Sequence, residues 1–302
     1  MITASAASAL IRDLQRGVRA RVLTRRADRE RHATDFGGLH ACTPRIVVRA
    51  AEEDEVRHVL RIARAAGMPV AVRGSGHSFA GKALSPGILL CTGGGAPRWR
   101  IRDDGGVEVD GGARWGEWIP ALEARGVTLP ALSGLASATV GGTLSAGGFG
   151  SGSPRAGAVT DHVRRLRLVT PDGGALWCSA EENAELFRFA RVGQGRLGVI
   201  THAEFGTVPR PPLFRLRVRS LRAPGDLRDV AAWLAARGTE VPPFFFAEVA
   251  AGGTGRAALG TPVETRGGGF LPSAELPGEG EMLLLPPDAL SDPTSPREPS
   301  GA

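Results

Sequence analysis

The residues best placed to do chemistry sit in one short turn, Gly74-Ser75-Gly76-His77-Ser78, where an imidazole and two hydroxyls alternate with glycine. Glycines leave backbone N–H groups accessible, so a turn of this composition can cradle a phosphate. The same residues come within one position of the G-x-S-x-G nucleophile elbow, with Ser78 as nucleophile, His162 or His202 as base and Asp161 or Asp172 as the orienting carboxylate. That elbow needs a helix directly after the serine, yet Ala80 replaces its second glycine and Pro86-Gly87 follow within two turns. A third reading makes His77 an ordinary loop histidine. A second stretch, Thr139 to Gly150 (TVGGTLSAGGFG), is too dense in small residues to build much core. It suggests a backbone approached closely by a ligand or by another chain segment, although turn-making alone also accounts for such a stretch.

Taken together, the motifs resemble those of the FAD-linked oxidases related to vanillyl-alcohol oxidase and p-cresol methylhydroxylase (PCMH-type), particularly the cytokinin dehydrogenase branch. TDFGGLH from residue 34, RGSGHS followed by FAGKALSPGILL, TVGGTLS and GQGRLGVIT fall in that family's order over roughly residues 30 to 210. The resemblance implies an α+β fold: a two-lobed PCMH-type FAD-binding domain followed by an α+β substrate domain. Its cofactor is FAD. Carried over position by position, His77 is the residue that bears the flavin covalently, and Val72, Gly74, Ser75, Gly76, Ser78 and Lys82 belong to the same cofactor-binding strip. Lys82 stands where the family has a glutamine. Thr139, Gly142, Ser145 and Phe149 are implied along the isoalloxazine and pyrophosphate, and Ile200 near the adenine. The implied reaction is oxidation of a C–H bond next to an alcohol or amine, by hydride transfer to flavin N5, with oxygen or another acceptor reoxidising the ring. The implied substrate is a small alcohol, sugar or amine.

Two departures limit what carries over. Cytokinin dehydrogenases place a base, an aspartate, five residues before the threonine of TVGG, and this chain has Gly134 there. In the berberine bridge branch a cysteine two residues before that threonine makes a second flavin bond, and this chain has Ser137. Attachment through His77 alone is implied, and no catalytic acid or base is named. The resemblance also implies a longer substrate domain, so the chain is expected to be cut short near residue 252. A flavin-binding but catalytically incompetent homologue is therefore the alternative to an active oxidase.

Several elements must position these motifs. Ile11, Leu14 and Val18 can share a helix face; Ile46 to Arg49 reads as a strand; and Glu52 to Ala66 is a helix with Val56, Val59, Leu60 and Ala63 on one face and acids in its first turn. Val70 to Val72 reads as a short buried strand that breaks into the glycine turn. Hairpins are expected around Asp103-Asp104-Gly105-Gly106 and Pro171-Asp172-Gly173-Gly174, and helices over residues 115–125, 181–190 and 226–237. On the 181–190 helix Leu186 and Phe189 stand three apart, and on the last helix Val230, Trp233 and Leu234 are expected to face inward. The domain reading is a helical lead-in over residues 1–37, an FAD-binding domain over 38–212 with lobes at 38–98 and 99–212, the start of a substrate domain over 213–252, and a Pro/Gly-rich disordered tail over 253–302. Phe244-Phe245-Phe246 is expected to be exposed.

At 302 residues and 42% hydrophobic content the chain can bury a substantial core. Its formal charge of +6 comes from scattered arginines with few aromatics between them, which argues against a nucleic-acid binder. Cys42, Cys91 and Cys178 are odd in number and widely spaced, pointing to free thiols in a reducing, cytoplasmic setting. The histidines show no metal-ligand spacing, no apolar run is long enough for a membrane span, and Arg25-Arg26 lacks the apolar segment of an export signal.

Overall fold

A computed structural model describes residues 4–18, 21–93, 95–210, 213–221, 224–237, 244–249, 255–263 and 282–285. The elements in chain order are α1 (Ala4–Gly17), β1 (Val22–Leu23), α2 (Arg26–Glu30), β2 (Ile46–Ala50), α3 (Glu53–Ala65), β3 (Val70–Arg73), β4 (Ile88–Thr92), β5 (Trp99–Ile101), β6 (Val107–Asp110), α4 (Trp115–Glu123) and β7 (Val127–Thr128). There follow α5 (Val140–Ala146), α6 (Ser153–Ala156), a 3₁₀ turn (Val159–His162), β8 (Val163–Val169), β9 (Ala175–Ser179), α7 (Ala184–Ala190), β10 (Val199–Phe205), β11 (Val208–Pro209), β12 (Leu213–Leu221), α8 (Pro224–Arg237), β13 (Phe244–Val249), β14 (Gly255–Val263) and β15 (Met282–Leu285). The fold is mixed α+β, as expected. Two compact units divide it: one comprises 1–119, 137–147 and 163–207, and the other 120–136, 148–162 and 208–302.

The first unit holds two sheets. In the first, ordered β1-β2-β4-β3, the strands β2, β4 and β3 run parallel and β1 is antiparallel at the edge. Ile46, Val47 and Val48 of β2 and Ile88, Leu89 and Leu90 of β4 are all buried, as inner strands covered on both faces must be. Leu10, Leu14 and Val18 from α1 and its C-terminal end pack with Val56, Val59, Leu60 and Ala63 of α3 against this sheet, in the pattern the periodicity predicts. A capping box between Glu52 and Glu55 starts α3, and Gly67 at φ +60° follows its end. The second sheet, β5-β6-β10-β8-β9, is antiparallel throughout. Both expected hairpins are in it.

A charged network ties α3 to this second sheet. Glu53, in the first turn of α3, receives Arg167 Nε at 3.1 Å, Arg167 Nη2 at 3.1 Å and the Thr201 hydroxyl at 2.8 Å. His202 Nδ1 lies 3.7 Å from Glu53, while its Nε2 is 3.2 Å from Asp110, which also takes Arg98 Nε at 2.9 Å. Burial pushes both carboxyls up, but these partners outweigh it and hold Glu53 and Asp110 below their ordinary values of 4.5 and 3.8. A carboxyl with a depressed folded value binds protons more weakly than in the unfolded chain, so its stabilisation is complete above the ordinary value and is lost as pH falls below it. The melting temperature should hold between pH 7 and 5, then drop as pH falls below about 4.5, and less steeply in Glu53→Gln. A wild-type melting curve flat from pH 5 to 3 would contradict the role given to this network.

In the second unit β7 pairs with β11, and a four-stranded sheet runs β13-β14-β12-β15. Part of the segment read as a disordered Pro/Gly-rich tail therefore forms β14 and β15, which flank β12 in antiparallel register. The sequence hides them because GRAALGTPV carries no apolar alternation, whereas ladder bonds are made by backbone. The rest of that tail, and the side chains of Phe244, Phe245, Phe246, Trp233 and Leu234, lie outside the described residues. On α7 the buried residues are Phe187 and Ala190, three apart on one face, while Phe189 is exposed, so the inward face is not the one marked by Leu186 and Phe189.

Candidate cofactor site

The two glycine motifs meet. The backbone of β3 delivers Val72 and Arg73 into the turn, and a Cβ at Gly74 would stand 2.1 Å from the Thr139 hydroxyl, so only glycine admits the contact. Thr139 is the N-cap of α5, accepting the Gly142 N–H at 3.3 Å. The Ser75 hydroxyl donates to the Ser137 carbonyl, a second tie between the motifs. TVGGTLS is thus a short helix rather than the strip of turn suggested by its glycines. Val140, Thr143 and Leu144 are buried, and a Cβ on Gly141 would meet the Ile200 and Gly111 carbonyls at 2.8 and 3.1 Å. The glycine here brings a helix against β10, with no loop involved.

Beyond α5, the carbonyls of Leu144 and Ser145 accept the N–H groups of Val192 and Gln194. Val192, Gln194 and Gly195 all have positive φ, at 63°, 54° and 72°, so the turn before β10 is tightly coiled against the end of α5. That turn, with β3, frames a cleft of about 600 Å³ whose lining includes Val72, Lys82, Gln194, Gly195 and Val199. A second cleft, of about 490 Å³, is lined by Gly74, Ser75 and Thr139. It carries Arg21, Arg31, Arg49, Arg73 and Arg114 and has no carboxylate in its lining, a setting that favours an anion.

His77 is held from two sides. Phe36 meets its ring edge-on at 5.2 Å between centroids, and the Ser137 hydroxyl lies 3.5 Å from Nε2. Its Nδ1 is buried and, among the described residues, has no hydrogen-bond partner. Orphaned buried polar atoms are uncommon, and this one sits in a turn of accessible amides beside a cleft. The brace behind the turn is Asp35, which the sequence did not single out. Its carboxylate accepts the N–H of Gly81 at 3.1 Å, of Leu39 at 3.1 Å and of His40 at 3.3 Å, together with the His40 ring, and Phe36 N–H donates to the Ser78 carbonyl. Burial pushes the Asp35 carboxyl up, but these donors outweigh it and keep it below its usual range.

Ile200 is buried in β10 and lines a cavity with Glu53, Asp110 and His202 that shares Ala50, Ala51, Thr92, Gly93 and Gly112 with the cleft at Gly74, Ser75 and Thr139. Its neighbour Val199 lines the Val72 and Lys82 cleft. Phe149 is 71% exposed and belongs to the other compact unit, as does Gly134, whose N–H donates to the Phe149 carbonyl. The serine hydrolase reading fails. No helix follows Ser78, His202 is engaged by Asp110, His162 faces the Ala156 carbonyl at 2.7 Å, and Asp161 and Asp172 accept the N–H groups of Ala158 and Gly174. Cys42, Cys91 and Cys178 are free thiols. Among the described residues no cluster of metal-ligating side chains occurs, and no helix is long and apolar enough to cross a membrane.

Residues 44–179 match the family described as FAD binding domain. The chain is 40% identical over 173 residues to an uncharacterized oxidoreductase of the fasciation locus of Rhodococcoides fascians, covering 56% of this chain and 39% of that one. It is 37% identical over 186 residues to cytokinin dehydrogenase 1 of Oryza sativa subsp. japonica, covering 59% and 35%. It therefore spans well under half the length of these relatives. Among solved structures, BBE-like 1 of Physcomitrella patens superposes with a TM-score of 0.73 at 20% identity, over 85% of this chain and 57% of that one. Glucooligosaccharide oxidase from Acremonium strictum, described with a 6-S-cysteinyl, 8α-N1-histidyl FAD, gives a TM-score of 0.71 at 19% identity over 83% and 54%.

Proposed function

We propose that this chain, which carries an FAD-binding domain of the PCMH-type oxidase superfamily, binds FAD along its two contacting glycine motifs, bonds it through His77 Nδ1, and serves the oxidation of a small alcohol, sugar or amine in the cytoplasm. The observation that carries this reading is the Nδ1 of His77, buried and without a partner among the described residues, in the turn that touches Thr139. The residues present fit the cofactor. Backbone amides of Gly74 to Ser78, the Ser78 hydroxyl and the Lys82 ammonium suit phosphate oxygens, and the adjoining arginines add positive potential. When bound, FAD supplies a two-electron hydride acceptor. Attachment replaces the imidazole N–H and one ring-methyl C–H with a single N–C bond; the two hydrogens, with the two electrons released, reduce dioxygen to hydrogen peroxide.

At Gly134 an added Cβ would meet nothing nearer than the Phe149 carbonyl at 3.9 Å, so packing does not demand glycine there. With no acid or base at that position, the residue that takes the substrate proton must be another, and the amine substrate of the cytokinin dehydrogenases does not transfer with the fold. The purified yellow protein should bleach near 450 nm when mixed anaerobically with at least one member of an alcohol, sugar and amine panel. A flavin that stays oxidised throughout the panel would leave the binding reading intact and remove the oxidase one.

A further inference from the structure

The contact between Ser137 and His77 carries an inference about how the imidazole is prepared, and it rests on the reading of His77 as the attachment residue. A neutral imidazole has one N–H and one bare nitrogen, and the hydrogen bond at one nitrogen decides which is which. The Ser137 hydroxyl is the hydrogen-bonding group at Nε2, at 3.5 Å, a long hydrogen bond. Nδ1 is buried and partnerless among the described residues. If the serine donated to Nε2, the proton would sit on Nδ1 as a buried N–H without an acceptor. Orphaned buried donors are rarer than under-satisfied acceptors, so the alternative arrangement is the better one: Nε2–H donates to Ser137, and Nδ1 keeps a bare lone pair.

We propose that Ser137 is a positioning residue, fixing His77 as the Nε2–H tautomer so that Nδ1 presents the lone pair that bonds the flavin. Two further contacts keep it in place. The Ser137 carbonyl is tied to the Ser75 hydroxyl two residues before His77, and Phe36 limits rotation of the ring. Ser137 itself is exposed, so changing its side chain does not disturb the core.

The test uses the full chain, produced under riboflavin limitation so that cofactor-free protein is available, with ¹⁵N-labelled histidine. Long-range ¹H–¹⁵N spectra at pH 8 should show His77 with a pyrrole-like Nε2 and a pyridine-like Nδ1. Ser137→Ala should give a mixture of both tautomers, and Ser137→Thr, which keeps the hydroxyl, should restore the single form. After addition of FAD, Ser137→Ala should form acid-stable flavin about tenfold more slowly, with unchanged affinity for FAD before attachment and an unchanged circular dichroism spectrum. A wild-type His77 protonated on Nδ1, or a tautomer indifferent to Ser137→Ala, would overturn the proposal. The two readings separate cleanly: if wild type shows the Nε2–H form yet never attaches FAD, the covalent reading fails while the role of Ser137 in setting the tautomer stands.

Discussion

Replacing His77 with alanine is expected to abolish acid-stable flavin while leaving yellow protein before denaturation. Wild-type chain precipitated with trichloroacetic acid should keep its colour in the pellet, because a covalent N–C bond survives unfolding. His77→Ala should release all of its flavin into the supernatant. Noncovalent binding persists because the amides of the turn, the Ser78 hydroxyl and Lys82 do not depend on the imidazole. The neighbours lost are the edge contact with Phe36, worth about 1 kcal/mol or roughly fivefold in an equilibrium constant, and the long hydrogen bond with Ser137. A wild-type pellet without colour would sink covalent attachment, whatever the variant does.

Gly74→Ala should be the more damaging change for cofactor affinity, although it adds a single methyl group. The new Cβ would fall 2.1 Å from the Thr139 hydroxyl, so either β3 or α5 must withdraw. Overpacking of this kind costs about 1 to 3 kcal/mol, and the displaced threonine also gives up its cap on Gly142. If the two motifs hold one cofactor between them, as proposed, FAD affinity should fall roughly ten- to a hundredfold. Pairing Gly74→Ala with Thr139→Ala, which removes the clashing hydroxyl at the cost of the cap, should recover part of it. Isothermal titration of cofactor-free protein measures both, and an unchanged affinity in the single variant would show that the motifs do not act together.

How far all this could be seen in the chain depended on what kind of signal each part leaves. The helix α3 and strands β2 and β4 were legible because burial imposes periodicity: one apolar stripe on the helix and unbroken apolar runs in strands covered on both faces. The helix α5 was not, since VGGTLSA has poor helix formers, and its helical state comes from the Thr139 cap and from packing against Gly111 and β10. The strand β14 left no pattern because GRAALGTPV has no apolar alternation, and β15 because MLLL is a run of only four residues set among prolines and glycines. At the site, the motifs located the turn and its histidine, but not the arginines that gather around Gly74, Ser75 and Thr139 from Arg21 to Arg114, because they lie far apart in the chain. Asp35 went unnoticed for a simpler reason. A lone aspartate before glycines looks like any turn residue, and only the three-dimensional path shows its carboxylate reaching Gly81.

The span of sequence that matches the family begins at residue 44, yet the loop that braces the His77 turn lies before it: Asp35 grips Gly81, and Phe36 touches both the Ser78 carbonyl and the His77 ring. Farther upstream, Leu10, Leu14 and Val18 are part of the same core as α3, and β1 supplies an edge to the parallel sheet. The structural support of the His77 turn is therefore wider than the span that matches the family. Trimming the chain to residues 44–179 would remove the loop that packs on the imidazole. Transplanting the motif into another host would likewise require moving two distant pieces of chain, the turn and its upstream clasp, as one part.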